Sequence, residues 1–317
     1  MCLLSLSCQE PTHRPEETDA GRNCPGSDGP AGYGHKRLAL ETGEDPVNNP
    51  IEYVLESIHT IYSIKHKNGA IRRVNVNIAA TTVENYRKLK EAGIGTYILF
   101  QETYHRKNYE ILHPHGPKHD YAYHTEAMDR AMTGGIDDVG VGVLYGLNNY
   151  RYDFAGLLMH KEHLEAVFGV GPHTISVPRI RPADDISVDA FPNSISDDLF
   201  KKSLPSFVSR FPIQVSSYRR ESAKTRASVI EVGVSQISGA SRTSVGGYAE
   251  EEEEDSAQFE VNDNRTLDEV INWLLTDGTS RASVRPATEP VEQEIASCPL
   301  PRQGKSPTAA SQMPSLR

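Results

Sequence analysis

The sequence has few cysteines, and its long interior from residue 25 to residue 297 has none. The four cysteines of the 317-residue chain are Cys2, Cys8, Cys24 and Cys298. Their spacing matches no metal-ligand motif, and the pattern excludes a small secreted scaffold held together by disulfides. It also predicts that the chain as written binds no cysteine-ligated iron–sulfur cluster.

Other absences exclude further classes of protein. No window contains eighteen consecutive apolar residues, so we predict no membrane-spanning helix. The 33 Lys and Arg residues are outnumbered by 43 Asp and Glu residues, giving a net charge of -10, which disfavours nucleic-acid binding. The short apolar run at the start follows no basic region, so the sequence contains no convincing targeting signal. We therefore expect a soluble protein without a membrane or nucleic-acid partner.

Composition divides the chain into three segments. Residues 1–33 have no hydrophobic periodicity and are predicted to be disordered. Residues 34–278 carry helix and strand patterns, although residues 203–220 fit these patterns poorly. Residues 279–317 are rich in Ser, Pro and Ala and are again predicted to be disordered. The acidic run 248–255 is typical of a solvated loop.

Helix and strand patterns alternate through the middle segment. Apolar spacing predicts helices over 51–64, 81–89, 123–132, 154–168, 223–232 and 266–275, and strands over 38–40, 73–79, 95–100, 139–144, 173–177 and 234–237. Alternating strands and helices indicate βαβ units around a parallel sheet. Because no GxGxxG turn is present, we predict an α/β fold of the TIM-type (β/α) barrel rather than a dinucleotide-binding fold.

Ligands of such barrels bind at the carboxyl ends of the strands. Gly43 and Glu44 follow the strand predicted over 38–40, and the Glu44 carboxylate could bind an ammonium group. Arg179 and Arg181 follow the strand predicted over 173–177 and suit a carboxylate clamp, although surface ion pairs fit equally well. Five polar residues follow the strand predicted over 95–100 and form either a ligand shelf or an ordinary loop: Gln101, Glu102, Thr103, Tyr104 and His105.

The remaining chemistry-bearing motifs are weak. His113, His115 and His119 cluster in one stretch, but their spacing matches no zinc site and predicts a polar loop. The sequence has no GxSxG elbow, HExxH motif or Walker loop. The residues alone therefore predict an α/β barrel that binds a small anionic or zwitterionic ligand.

Longer stretches resemble a known family. LALETGEDPVN begins at Leu38, and four further stretches occupy residues 72–105, 135–147, 168–183 and 233–255. Together they resemble the [FeFe]-hydrogenase maturases that are radical S-adenosylmethionine (SAM) tyrosine lyases. The 2-iminoacetate synthase of thiamine synthesis is a close cousin, and biotin synthase is a more distant one. The resemblance covers residues 34–202 and 221–278.

The resemblance implies an incomplete (β/α) barrel of the radical SAM kind, with a region associated with biotin and thiamin synthesis. Its implied cofactors are [4Fe-4S] clusters and SAM, and its implied substrate is tyrosine, whose Cα–Cβ bond is cleaved. The products supply CO and cyanide for maturation of the hydrogenase H-cluster, which implies hydrogenase-maturation proteins as partners. The implied location is the cytoplasm or an anaerobic organelle.

The resemblance also implies residue roles. Gly43 and Glu44 are expected to contact the methionine end of SAM. The substrate pocket is expected to be lined by Gln101, Glu102, Thr103, Tyr104, His105, Arg179 and Arg181. His163 and His173 are candidate accessory iron ligands at the second cluster of the family.

Three family motifs are missing: the CxxxCxxC triad, the strand with an S-T-R substrate clamp, and the C-terminal CxxC. We therefore predict that the chain as written is inactive and binds no cluster.

Read one base out of frame, the codons of residues 279–298 permit YIPSFCTACYRAGRTGDRFM, and those of 202–220 permit a segment ending in STR. The opposite shift at Met1 permits CVYCHYR. Our hypothesis is a partial, frame-shifted copy; a thiamine-type tyrosine lyase and a non-catalytic barrel remnant are the alternatives.

Overall fold

A parallel sheet forms the centre of the molecule. The computed structural model describes residues 2–6, 36–45, 47–65, 69–180, 191–210, 214–217, 221–239 and 263–277. Eight strands pair in the order in which they occur in the chain, and every pair is parallel. They are β1 Cys2–Leu6, β2 Arg37–Thr42, β3 Arg73–Asn77, β4 Tyr97–Glu102, β5 Val139–Val143, β6 Thr174–Ser176, β7 Gln214–Ser217 and β8 Gln236–Ile237.

The strand order confirms the predicted fold class. Sequential parallel strands joined through helices are the arrangement of a TIM-type (β/α) barrel. Within the described ranges, β1 and β8 are the two edges of the sheet. The architecture is therefore a partial barrel, as the sequence predicts.

The helices occupy the connections between the strands. Most begin where a polar side chain caps the first turn. Thr82, for example, lies one residue after the predicted start of its helix and accepts a hydrogen bond from the Asn85 amide. The predicted helix over 123–132 is divided in two at Glu126. The helices are α1 Ile51–Ser63, α2 Val83–Glu91, α3 Arg106–Leu112, α4 Tyr121–Thr125, α5 Ala127–Thr133, α6 Tyr150–Phe168, α7 Asp197–Arg210, α8 Ala223–Glu231 and α9 Leu267–Thr276.

The strands present different side chains to their two faces. In β5 the sequence VGVGV alternates, and its valines belong to the buried apolar core. A Cβ atom at Gly142 would lie 2.7 Å from the Phe100 ring and 2.7 Å from the Ser176 carbonyl oxygen. Glycine at this position therefore makes room for Phe100 on the face opposite the valines.

Two sequence-based expectations need correction. We assigned no regular structure to residues 1–33, yet Cys2–Leu6 forms β1 and pairs with β2. An apolar run of strand length can satisfy the open backbone edge of β2. We also expected a missing barrel strand within residues 203–220, yet β7 lies between β6 and β8. The S-T-R sequence is absent, but the backbone position of that strand is filled.

Several predictions fall outside the described residues. They concern residues 7–33, the acidic run 248–255, the tail 279–317 and Arg181. None of the described helices combines the length and the apolar character needed to cross a bilayer.

Candidate functional site

A charged cavity opens at the carboxyl ends of β2, β3 and β4. Its volume is about 150 Å³, and its polar lining comes from Glu41, Thr42, Glu44, Asn77, Glu102 and Lys118. The volume is below the roughly 300 Å³ at which pockets for drug-sized ligands begin. The cavity therefore matches a charged group of amino-acid size, at the edge of the sheet where barrel enzymes bind their ligands.

Lys118 is the cation of this cavity. Its Nζ atom lies 2.9 Å from Glu102 Oε1 and 3.4 Å from Glu44 Oε1. Burial by itself would lower the pKa of Lys118, but the two carboxylates outweigh it and raise that pKa above its usual range. Burial would likewise raise the pKa of Glu102, but the charge and hydrogen bond of Lys118 lower it. Both groups are therefore charged at neutral pH.

Glu102 has an unusual backbone conformation. Its φ of 64° is the one positive value at a non-glycine residue in the described ranges. The Thr103 amide donates to the Gln101 carbonyl over 2.8 Å, which makes Glu102 the centre of a γ-turn. The Leu144 amide donates to the Glu102 carbonyl over 2.8 Å. This conformation costs about 1–3 kcal/mol, and such strain is concentrated at functional sites.

The predicted shelf separates into two groups. Glu102 lines the cavity, whereas Gln101 donates to Thr125 over 2.9 Å and Thr103 donates to Asp153 over 2.8 Å, both on the helix side. The Tyr104 hydroxyl shares a 2.8 Å hydrogen bond with His160, and His105 caps α3. Of the five residues, the structure thus brings Glu102 alone to the cavity; the pocket roles of the other four stay predictions.

Asp153 anchors the loop that follows Glu102. Its side chain is fully buried, and its Oδ1 atom accepts hydrogen bonds from the Thr103 hydroxyl and from the Tyr104 amide at 2.9 Å. Burial raises the pKa of Asp153 even though these two hydrogen bonds oppose the shift. Asp153 therefore helps to hold the strained turn in place.

The structure brings Glu44 into the cavity, with Gly43 directly before it. Sequence reasoning missed Glu41, Asn77 and Lys118. Glu41 and Asn77 lie at the ends of β2 and β3, where the strand-end rule could have found them. Glu41 Oε1 accepts a hydrogen bond from Asn77 Nδ2 over 3.2 Å. Lys118 lies in a short 3-10 helix, Pro117–His119, in a stretch that gave no signal beyond its polar character.

Arg179 binds carboxylates of the chain itself. Its guanidinium donates to both Glu221 oxygens, with an Nε–Oε1 distance of 2.9 Å, and lies 2.8 Å from Asp197 Oδ1. The side chain is 4% exposed and lies over the Phe200 ring at 4.6 Å. The ion pair is thus buried rather than at the surface, and the predicted ligand clamp stays a prediction.

The two candidate iron ligands lie apart from the cavity residues in the fold. His163 on α6 is 2.6 Å from Asp129 Oδ1. His173 precedes β6, at the amino edge of the sheet, with Nδ1 3.9 Å from Asp138 Oδ1. Within the described ranges, no group of three or more His, Cys, Asp or Glu side chains is arranged to hold a metal ion.

Because His124 is buried, we predict that the folding stability of the protein depends on pH. Its Nε2 donates to the Phe100 carbonyl over 2.8 Å, and burial lowers its pKa to about 4. The unfolded chain therefore binds more protons between pH 6.5 and 4, and folding stability falls by about 3 kcal/mol across that window. Urea unfolding at several pH values should show this loss, and a His124→Asn variant should lose less between pH 6.5 and 4. Identical losses in the two proteins would contradict the assignment.

No protein-family model matches the chain. The chain is 29% identical to the 2-iminoacetate synthase of Salmonella typhimurium over 283 residues, covering 87% of this chain and 71% of that relative. It is 30% identical to the Escherichia coli enzyme of the same name over 248 residues, covering 77% and 63%.

The fold and the charged strand-end site define the class: a partial TIM-type (β/α) barrel. Among solved structures, HydG, a maturase of the [FeFe]-hydrogenase, superposes with a TM-score of 0.83 at 51% identity, over 87% of this chain and 63% of that one. HydG from Carboxydothermus hydrogenoformans gives 0.74 at 33%, over 87% and 66%. The predicted resemblance is confirmed: the chain is similar in sequence to the 2-iminoacetate synthases, and in both sequence and fold to HydG.

The chain spans 63% of the length of the first HydG structure, which is less than two thirds of it. Methylornithine synthase, with a TM-score of 0.61 at 16% identity, supports the fold alone.

Proposed function

We propose that the cavity binds the amino-acid end of SAM, in a barrel of the HydG type. The observation that carries the proposal is the convergence of Glu44 and Glu102 on one ammonium, that of Lys118, at 3.4 and 2.9 Å. A pair of carboxylates that holds one half-buried ammonium has the charge and geometry to hold the ammonium of an amino acid. When bound, SAM is the source of a 5′-deoxyadenosyl radical.

The residues fit the two cofactors of the family unequally. The carboxylates fit the ammonium of SAM. The cysteines do not fit a [4Fe-4S] cluster, because Cys2, Cys8, Cys24 and Cys298 form no CxxxCxxC or CxxC motif. We therefore propose that the chain as written does not cleave SAM.

The intact reaction is proposed for a frame-restored protein. It would cleave the Cα–Cβ bond of tyrosine and supply CO and cyanide to [FeFe]-hydrogenase maturation, with hydrogenase-maturation proteins as partners. The 51% identity to HydG favours this branch. The matches to two 2-iminoacetate synthases support the thiamine branch as a second candidate. A non-catalytic barrel remnant is the third.

Binding of S-adenosylhomocysteine, an unreactive analogue of SAM, tests the site. We expect the chain to bind this analogue and Glu44→Gln to weaken binding by about tenfold or more, because a charge-assisted hydrogen bond is lost. Isothermal titration calorimetry measures both affinities. Glu56→Gln, at an exposed position on α1, is the matched control. Equal affinities of Glu44→Gln and wild type would contradict the site.

Anaerobic reconstitution with iron and sulfide tests the catalytic status in the same preparation. We expect no [4Fe-4S] absorption and no 5′-deoxyadenosine from this chain, and both from a frame-restored version. A cluster signal from this polypeptide would refute the inactivity. Assays of CO and cyanide against glyoxylate-type products would separate the two lyase branches. Sequencing the transcript across the codons of Tyr33, Lys202, Arg220 and Gly278 decides the frame hypothesis itself.

A further inference from the structure

We infer that Glu44 and Glu102 form a subsite for a primary ammonium, that Lys118 is its internal occupant, and that a ligand's ammonium enters by displacing the Lys118 side chain. This inference rests on the proposed function, because it assigns the ligand to the same cavity. It adds Lys118 as a competitor within the chain, so that a ligand must bring its own ammonium in order to bind.

The geometry makes Lys118 a substitute for a ligand group. Its Nζ atom contacts Glu102 at 2.9 Å and Glu44 at 3.4 Å, distances at which a bound amino acid would place its own ammonium. The side chain is 24% exposed, and it lines the cavity with its two partners. A second ammonium cannot share this position with Lys118, since like charges at contact repel each other.

The loop that carries Lys118 allows the side chain to leave. Its neighbours Pro117 and His119 are exposed, and Gly116 precedes them with a φ of 77°. The Tyr109 hydroxyl donates to the Lys118 carbonyl over 2.7 Å, so the backbone is fixed while the four-carbon side chain stays rotatable. Displacement therefore needs a rotation of one side chain and no opening of the barrel.

The charges in the cavity favour exchange of the Lys118 ammonium for a ligand ammonium over departure of Lys118 without a replacement. Glu41, Glu44 and Glu102 contribute three carboxylates to the lining, and Lys118 contributes its cation. Glu102 lies on the strained turn that directs it to this position. If Lys118 left without a replacement, Glu102 would be a buried carboxylate beside two others, which is costly. The subsite therefore selects ligands that bring a positive charge.

The test compares three small ligands with wild type and Lys118→Met. L-Methioninamide carries only the ammonium, L-methionine carries both charged groups, and N-acetyl-L-methionine lacks the ammonium. Lys118→Met, which removes the internal competitor, should bind L-methioninamide about tenfold more tightly than wild type. While Lys118 occupies the subsite, the apparent affinity for a ligand is reduced in proportion to the fraction of time for which the subsite is open. N-Acetyl-L-methionine should bind neither protein. Lys107→Met, at an exposed position on α3, is the matched control and should match wild type.

A second variant guards against misfolding. Lys118→Gln removes the charge but keeps an amide donor for Glu102, and it should shift L-methioninamide affinity in the same direction. Unchanged or weaker binding of L-methioninamide by both variants would overturn the inference. Weaker binding of L-methionine alone would instead assign Lys118 to the ligand's carboxylate, which also overturns it.

Parallel titrations with S-adenosylhomocysteine separate the two levels of failure. If wild type binds this analogue and Glu44→Gln does not, while Lys118→Met brings no tightening, only the internal-occupant inference fails. If neither wild type nor Lys118→Met binds the analogue, the proposed function fails together with the inference.

Discussion

Asp263→Ala should destabilise the protein by about 3–5 kcal/mol, the range for removing one partner of a buried ion pair. The partner is Arg226, whose side chain is fully buried and donates to Asp263 and to the Ser238 carbonyl. Arg265 donates to the same carboxylate over 2.8 Å. Although burial opposes the shift, the hydrogen bonds and charges of these two arginines lower the pKa of Asp263 below its usual range. In the variant, the Arg226 guanidinium stays buried without its carboxylate.

Urea unfolding at neutral pH measures this loss. Asp268→Ala is the control, since Asp268 is exposed in the first turn of α9 and its removal should cost no more than about 1 kcal/mol. Asp263→Asn, which keeps an acceptor but loses the charge, should fall between the two. Similar losses for Asp263→Ala and Asp268→Ala would show that the buried network does not stabilise the fold.

Glu221→Ala should destabilise the protein by a similar amount, about 3–5 kcal/mol, in a different part of the barrel. Glu221 and Arg179 are each 4% exposed, and the pair joins the loop after β6 to the segment that leads into α8. The remaining partners of the guanidinium would be the exposed Asp197 carboxylate and the Ile195 carbonyl, to which it donates over 3.1 Å. We expect these two contacts to recover only a part of the loss.

Thermal unfolding of Glu221→Ala beside Glu231→Ala checks this prediction, since Glu231 is exposed near the end of α8. The result also bears on the function first expected for Arg179. A near-neutral Glu221→Ala would mean that the guanidinium is held in place by something other than Glu221, and it would reopen the ligand clamp. A large loss identifies Arg179 as a residue that stabilises the fold.

The periodic parts of the fold were predictable because burial of one face of a helix or strand leaves a regular spacing of apolar residues in the sequence. The VGVGV run and the helical stripe from Ile51 identified β5 and α1 nearly to the residue. β7 was not predictable, because the QVSS segment is short and mostly polar. Its position depends on the open edges of β6 and β8, which are contacts that local sequence does not encode.

The site was partly predictable for a related reason. Glu44 and Glu102 follow strands, and the strand-end rule found both. Side chains alternate along β4, which turns Gln101 away from the face of Phe100 and towards the helices, and its pocket role stays a prediction. Lys118 reaches the cavity across sixteen residues of loop and helix from Glu102, and only the three-dimensional structure brings the two together.

The order of the strands has a consequence for how the chain is made. Each strand after β1 pairs with the one that precedes it along the chain. A ribosome delivers the chain from its N-terminus, so every new strand meets a partner that has already been synthesised. The sheet can therefore grow at a single edge during translation, with loop closure confined to neighbouring units. On this view β2 to β4, whose carboxyl ends line the cavity, can assemble before the segment that supplies β7 has left the ribosome.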